Sequence, residues 1–415
     1  MQFKLKYLIL LLFSTSIFGQ AEEIQPQDYI KTITFKGNTP ESQLPILRLG
    51  ERFVLEFDAL NGDEEDYYYE IKHYNFDWTP SVLVQSEYLD GFNEQRIRTY
   101  DNSFNTYQIY SHYRLTIPNR QTKGIKKSGN YLITIYNDDD EIEFTRKFMV
   151  YEELANVGVS IKRSRDVAFV QEKQSVDIAI SSTNMRFNNP KQTIKTVLIK
   201  NNNLNTAITD LKPQYILGNE LQYRYTKESS FFGGNEFFYF ENKDLRAANN
   251  AIQFVELGDI YNHYLFTNIS RADSPYTYNP DINGNFLITA LDADKPYIEA
   301  DYTKVHFSLK LDELPENESI HVYGNFNNYA VDDSTKMTYD NERGLYNSSL
   351  ILKQGFYNYK YVLVDKNGVI NENAISGSFY QTENNYKVLV YYRDLGSRYD
   401  RIIGIGEANS VNITN

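Results

Sequence analysis

Tyr67-Tyr68-Tyr69-Glu70-Ile71-Lys72-His73-Tyr74-Asn75-Phe76-Asp77-Trp78-Thr79-Pro80 is the run whose reading decides the fold. Tyrosine, phenylalanine and isoleucine suit a pleated, half-buried surface better than a helix. The run reads as a strand that stops where Asp77 and Pro80 mark a turn. The aromatic stretch continues through Glu87-Tyr88-Leu89-Asp90-Gly91-Phe92. It closes on Tyr110-Ser111-His112-Tyr113-Arg114-Leu115-Thr116-Ile117-Pro118. It holds the single tryptophan of the chain, Trp78. A buried Trp78 is the expected packing pin of a first sandwich; the flanking Asp77 and Pro80 leave a loop position as the alternative.

Working outward, the same signal repeats. Phe53, Leu55 and Phe57 alternate with Arg52, Glu56 and Asp58, which gives one apolar face and one wet face. Asn61-Gly62 marks a turn, and Asn137-Asp138-Asp139-Asp140 reads as a hairpin tip. Val176, Ile178 and Ile180 form a half-buried strand, and another, at 196–200, ends at Asn201-Asn202-Asn203. Val305, Phe307 and Leu309 open a further set. Only residues 243–254 suggest a helical turn or two. The fold class is therefore all-β, with two or three consecutive immunoglobulin-like or E-set β-sandwich domains. The expected divisions are 20–152, 153–299 and 300–395, followed by a frayed tail at 396–415.

Composition narrows the function. The chain has 415 residues, a net charge of −13 and no cysteine. An acidic chain without a dense Lys/Arg cluster lacks the footprint of a nucleic-acid binder. The absence of cysteine excludes disulfides, thiol catalysis and cysteine-based metal sites. Lys4 and Lys6 precede an apolar run at 7–13 and small residues at 14–19, the pattern of a cleavable signal peptide over 1–19. That run is too short to span a bilayer as a helix, so the expected location is an exported compartment.

No catalytic constellation is legible. His73, His112, His263, His306 and His321 read as strand side chains, with no activated nucleophile beside them. Asp281, Asn283 and Asn285 begin like a calcium loop, but Phe286 stands where that loop needs glycine. The better reading is a turn at Asn283-Gly284. The expected catalytic, cofactor and metal residues are therefore none.

Two resemblances follow from ordered motifs. Gly324 to Tyr329, Met337, Gly344 to Tyr346 and Gly355 to Lys360 resemble E-set sandwiches of the glycogen-binding type, with Tyr329 where a sugar-stacking Trp usually stands. This makes a periplasmic carbohydrate-binding protein the alternative reading, but without that Trp a sandwich with no glycan site is favoured and carbohydrate is not an expected partner. The whole chain resembles the plug protein of the type IX secretion system of Bacteroidota. That resemblance is carried by His73 to Trp78, Glu87 to Phe92, Tyr110 to Tyr113, Ile117 to Asn119, Asp281 to Phe286, Glu299 to Tyr302 and Leu352 to Tyr359. It implies a non-enzymatic periplasmic protein docked on the inner mouth of the outer-membrane translocon barrel. Such a protein closes the pore when the barrel's extracellular side lacks its shuttle partner. Loops 79–93 and 231–240 are the candidate contact segments, with Trp78, Tyr88, Phe92, Phe231 and Phe232 as candidate partner-contact residues.

Overall fold

A computed structural model of the chain describes residues 19–39, 43–62, 64–312, 314–315, 317–411 and 413. The body of the expected signal peptide lies outside them. Among the described residues no helix is long and apolar enough to cross a membrane.

The alternation at 53–57 becomes the strand Phe53–Ala59, antiparallel to Ile30–Lys36 on one side and Ser111–Ile117 on the other, with Thr99–Asn102 at the edge. Phe57 faces Tyr113 and Leu55 faces Leu115 across the ladder. The run at 67–76 becomes the strand Tyr68–Tyr74 in a second sheet, beside Gly129–Tyr136 and then Ile142–Tyr151. Asn137 to Glu141 forms the tight connection between the last two strands. Aromatic rings fill the space between the sheets. Phe57 packs edge-on to Phe144 at 5.3 Å and to Tyr67 at 5.2 Å, and Phe35 packs edge-on to Phe148 at 5.4 Å. Tyrosine serves in this core because each ring buries apolar area while its hydroxyl reaches a polar edge. Tyr113 Oη donates to Glu65 O and Tyr131 Oη to Lys127 O.

A second sandwich follows, and the chain does not complete it in one pass. One sheet holds Asn156–Arg163, Lys173–Ser181, Glu220–Tyr223 and Tyr215–Leu217, with Ser230–Phe232 also on Lys173–Ser181. The other holds Asn203–Thr209, Ile194–Lys200, Asn385–Tyr392 and Arg401–Asn409. A third sandwich is inserted between Phe232 and Asn385. Its sheets are centred on Gly355–Val364 and on Tyr302–Lys310.

Three sequence expectations change here. Residues 401–409 are a strand, not a frayed tail: Ile402 and Ile403 are fully buried and the ladder with Asn385–Tyr392 runs its whole length. The expected break at 299/300 runs through a sheet, since Tyr261–Leu265 pairs in parallel with Tyr302–Lys310. The expected helical turns at 243–254 are loop followed by the strand Ile252–Leu257. Long-range pairing overrides local pattern in each case, and pairing partners are not written in a strand's own residues.

Candidate functional site

Asp58 lies on the face that alternation makes wet, yet it is 0% exposed, because the third sandwich covers it. Lys353 Nζ sits 2.6 Å from Asp58 Oδ2, and both side chains are 1% exposed. Tyr302 Oη donates to the same oxygen at 2.6 Å, and His112 Nδ1 lies 2.7 Å from Asp58 Oδ1. Burial alone would raise the Asp58 pKa, but Lys353 and His112 hold it below the ordinary carboxylate value. Burial pulls Lys353 below the ordinary lysine value although Asp58 opposes it. The two directions favour opposite protonation states. The carboxylate decides: three donors converge on it, and a neutral acid would leave them unmatched, so the pair is ionised. Lys353 also donates to Tyr297 O and stands 4.0 Å from the centre of the Tyr110 ring.

Next to this pair, the Asp301 carboxylate accepts the backbone N–H groups of Tyr107 and Gln108 at 2.7 and 3.1 Å. Tyr110 Oη donates to Ala300 O at 2.8 Å. First and third sandwiches are thus joined by a buried, charged, hydrogen-bonded seam.

The first and second sandwiches meet through apolar side chains instead. Met149, Val197, Ile199, Leu389, Tyr391 and Ile402 are buried together, with Phe76 and Trp78 half-buried against them. Phe76 stacks edge-on to Tyr391 at 5.0 Å, and Tyr391 Oη donates to Asn130 Oδ1 at 2.6 Å. His73 is buried beside this junction. Burial pushes its pKa down to about 4, so it is neutral. Its ring presses on Gly129 (φ 144°), where an added Cβ would lie 2.3 Å from Nε2.

All three sandwiches meet at Asn201-Asn202-Asn203, and the three side chains are buried. Asn201 Nδ2 donates to Asn384 Oδ1 in the second sandwich, Asn202 Nδ2 to Gln43 O in the first, and Asn203 Nδ2 to Tyr323 Oη and Glu372 Oε1 in the third. Asn201 and Asn202 hold φ of 50° and 56°, a region asparagine tolerates better than most residues. Glu372 in turn accepts Lys360 Nζ at 3.0 Å.

The candidate contact residues divide. Tyr88 is in the first core, with its hydroxyl on Ile71 O, and Phe231 packs against Tyr386 in the second core. Neither is available to a partner. Phe232 is half-buried between Phe169 and Lys173. Trp78 is not the pin of the first core. It occupies a turn at φ 60°, half-buried at the junction of first and second sandwiches, with Lys147 Nζ 4.5 Å from its ring centre. Phe92 alone of the five is well exposed, at 69%. In the same loop Val82 and Val84 are 65% and 60% exposed. Glu87 and Val82 O hold the guanidinium of Arg398, which ties the loop to the second sandwich.

Other sequence candidates are occupied structurally. Asp281 accepts Phe237 N and Asn283 N, and Asn283-Gly284 is the turn that the sequence suggests. Tyr329 is 2% exposed and its hydroxyl donates to Asn201 O, so its ring presents no face to a sugar. Among the described residues no group of three His, Asp or Glu side chains is placed to hold a metal.

Sequence reasoning missed Asp58, Asp301, Tyr302 and Lys353 as a set. Three of the motifs behind the family resemblance, around Tyr110, Tyr302 and Lys353, converge on this seam. Residues 30–152 match the family described as "Type 9 secretion system plug protein 1st domain". The first sandwich belongs to the type 9 secretion system plug protein first-domain family. The chain also matches the crystal structure of a hypothetical protein from Parabacteroides merdae at 35% identity and a TM-score of 0.90, over 94% of this chain and 100% of that one. A biofilm-associated protein BSP domain has a TM-score of only 0.18 at 8% identity, covering 94% of this chain and 61% of that one, and bears on nothing here. No curated protein matches the chain. Of the motif residues, Tyr110, Tyr302 and Lys353 serve the joint between the first and third sandwiches.

Proposed function

We propose that this chain is a non-enzymatic periplasmic plug that docks on the inner mouth of the type 9 outer-membrane translocon barrel and closes the pore. The observation that carries the proposal is the family match at 30–152, within a fold shared with one relative end to end. Physical features agree with it. A plug must resist deformation, and the charged seam, the apolar junction and the asparagine vertex each join sandwiches that short linkers alone would leave free to swing. The loop at 79–93 offers Val82, Val84 and Phe92 to a partner from a backbone held by Arg398. The pore closes when the shuttle partner is absent from the outer side of the barrel.

Two measurements test this. A strain lacking the chain becomes sensitive to antibiotics too large for ordinary porins; parental sensitivity would refute the plug reading. Val82→Asp/Val84→Asp/Phe92→Asp folds with a near-parental melting temperature, since surface changes cost little. It loses co-purification with the barrel at least about tenfold, because charges in the dry centre of an interface are not compensated. Unchanged recovery of the barrel would remove the loop from the contact.

A further inference from the structure

Arg146 stands at a core-facing position. It lies two residues from Phe144 and two from Phe148, both in the first core, and strand side chains alternate. Its side chain is therefore directed inward and is 2% exposed. One nitrogen, Nη1, donates to Thr145 O at 2.8 Å, and the guanidinium carbon is 5.4 Å from the centre of the Phe144 ring. Nε has no partner, and no carboxylate pairs with Arg146 among the described residues. Glu23 is the one acid that influences it, and the Glu23 oxygens are taken by Lys147 N and Asn328 Nδ2. A guanidinium cannot escape burial by losing its proton at physiological pH, so an unpaired one is retained at a cost in stability.

Arg146 borders a cleft of about 540 Å³ between the first and third sandwiches. Ile30, Ile33, Phe286, Phe326, Leu350 and Leu352 supply apolar walls. The acids of this cleft are Asp28 and Asp333, both exposed, and Asp332. Asp332 already accepts Ser334 N, Thr335 N and the Ser334 hydroxyl, and Lys31 lies in the field of Asp28 and Asp332. The buried cation is thus left for a ligand, on the lining of a cleft of ordinary ligand size.

We propose that this cleft binds an acyl carboxylate, its carboxylate paired with the Arg146 guanidinium and its hydrocarbon body between the two sandwiches. A planar guanidinium matches a carboxylate with two parallel hydrogen bonds, and the apolar walls favour a chain without further polar groups. Such a site is separate from the docking loop and does not depend on the plug reading.

Calorimetric titration of the full mature chain with decanoate, and separately with 1-decanol, tests it. The expected result is saturable one-to-one binding of decanoate, with the alcohol at least about tenfold weaker for loss of the charged pair. Arg146→Met removes the charge while keeping the bulk; it abolishes the preference for the acid and raises the melting temperature. Ser349→Trp, at an exposed position on the cleft wall, blocks decanoate while leaving Arg146 intact. No saturable binding at millimolar decanoate, equal affinity for acid and alcohol, or unchanged binding in either variant would overturn the proposal. Tighter binding of a hydrophobic tripeptide with a free C-terminus than of decanoate would overturn the acyl assignment.

Discussion

Lys353 carries the largest single consequence among the residues of this chain. Replacing it with methionine leaves the Asp58 carboxylate buried with His112 and Tyr302 but without its lysine. Breaking a buried pair from one side costs about 3–5 kcal/mol. Lys353→Met is expected to lower the melting temperature by several degrees, while Asp58→Asn/Lys353→Met recovers part of the loss. A thermal scan in which the double variant is no better than the single one would contradict the pairing. His112 adds a pH dependence with a definite sign. Burial alone would lower its pKa, but the hydrogen bond to Asp58 and the Glu56 carboxylate 3.7 Å from Nε2 outweigh burial and hold it above the ordinary histidine value. Its contribution is therefore complete below about pH 6.5, the ordinary value, and is lost as pH rises through the raised folded pKa. Glu56 works in the other direction. Burial would raise it, but His112 and Arg114 hold it down to about 2, so its contribution is lost only as pH falls from the ordinary glutamate range toward 2. The stability gap between the parent and His112→Gln is expected to shrink from pH 6 to pH 9. A constant gap would mean that His112 is neutral in the fold.

Among the elements, Arg401–Asn409 is the one whose importance the sequence concealed. After Arg393 the sequence loses its alternating pattern, so this stretch reads as a tail. In the fold it completes the sheet Asn203–Thr209, Ile194–Lys200, Asn385–Tyr392, Arg401–Asn409. Its Ile402 backs the junction with the first sandwich, and its Ile403 enters the second core. Truncation after Asp400 is expected to strip these side chains from both and expose a long apolar edge on Asn385–Tyr392. Loss of soluble protein on expression is the predicted outcome; a soluble truncated chain with the parental circular dichroism spectrum would refute it. The strands themselves were legible, because their period of two is a local property. The strands read at 53–57, 67–76 and 176–180 are strands in the structure for that reason, the second over Tyr68–Tyr74. Their order in the sheets was not legible. The second sandwich borrows two strands from beyond residue 380, and nothing local in Val388 or Val390 names Leu198 or Thr196 as its partner across the ladder.

For the molecule as a whole, insertion of the third sandwich into the second links their stabilities, and the Asp58 seam links both to the first. The expected behaviour is one cooperative unfolding transition rather than three. Trp78 makes this measurable, because it sits at the first–second junction and is the chain's only tryptophan. Its fluorescence and far-ultraviolet circular dichroism are expected to change at the same denaturant concentration. A fluorescence midpoint well below the other would show that the junction opens before the sandwiches melt.

The sequence by itself determined the all-β class, the acidic and cysteine-free character, and a family resemblance read from ordered motifs. These depend on composition, on the two-residue period and on short runs, all of which are local. Tertiary structure alone decided the rest: that Asp58 on a wet-looking face is buried against Lys353, that Trp78 is a joint rather than a pin, and that Arg146 faces inward beside an open cleft. The aromatic stretch at 67–118 thus builds one core and, through Phe76, Trp78, Tyr110 and His112, joins that core to two others. Burial of a charge depends on what the rest of the chain places over it, and no residue's own neighbours in sequence carry that information.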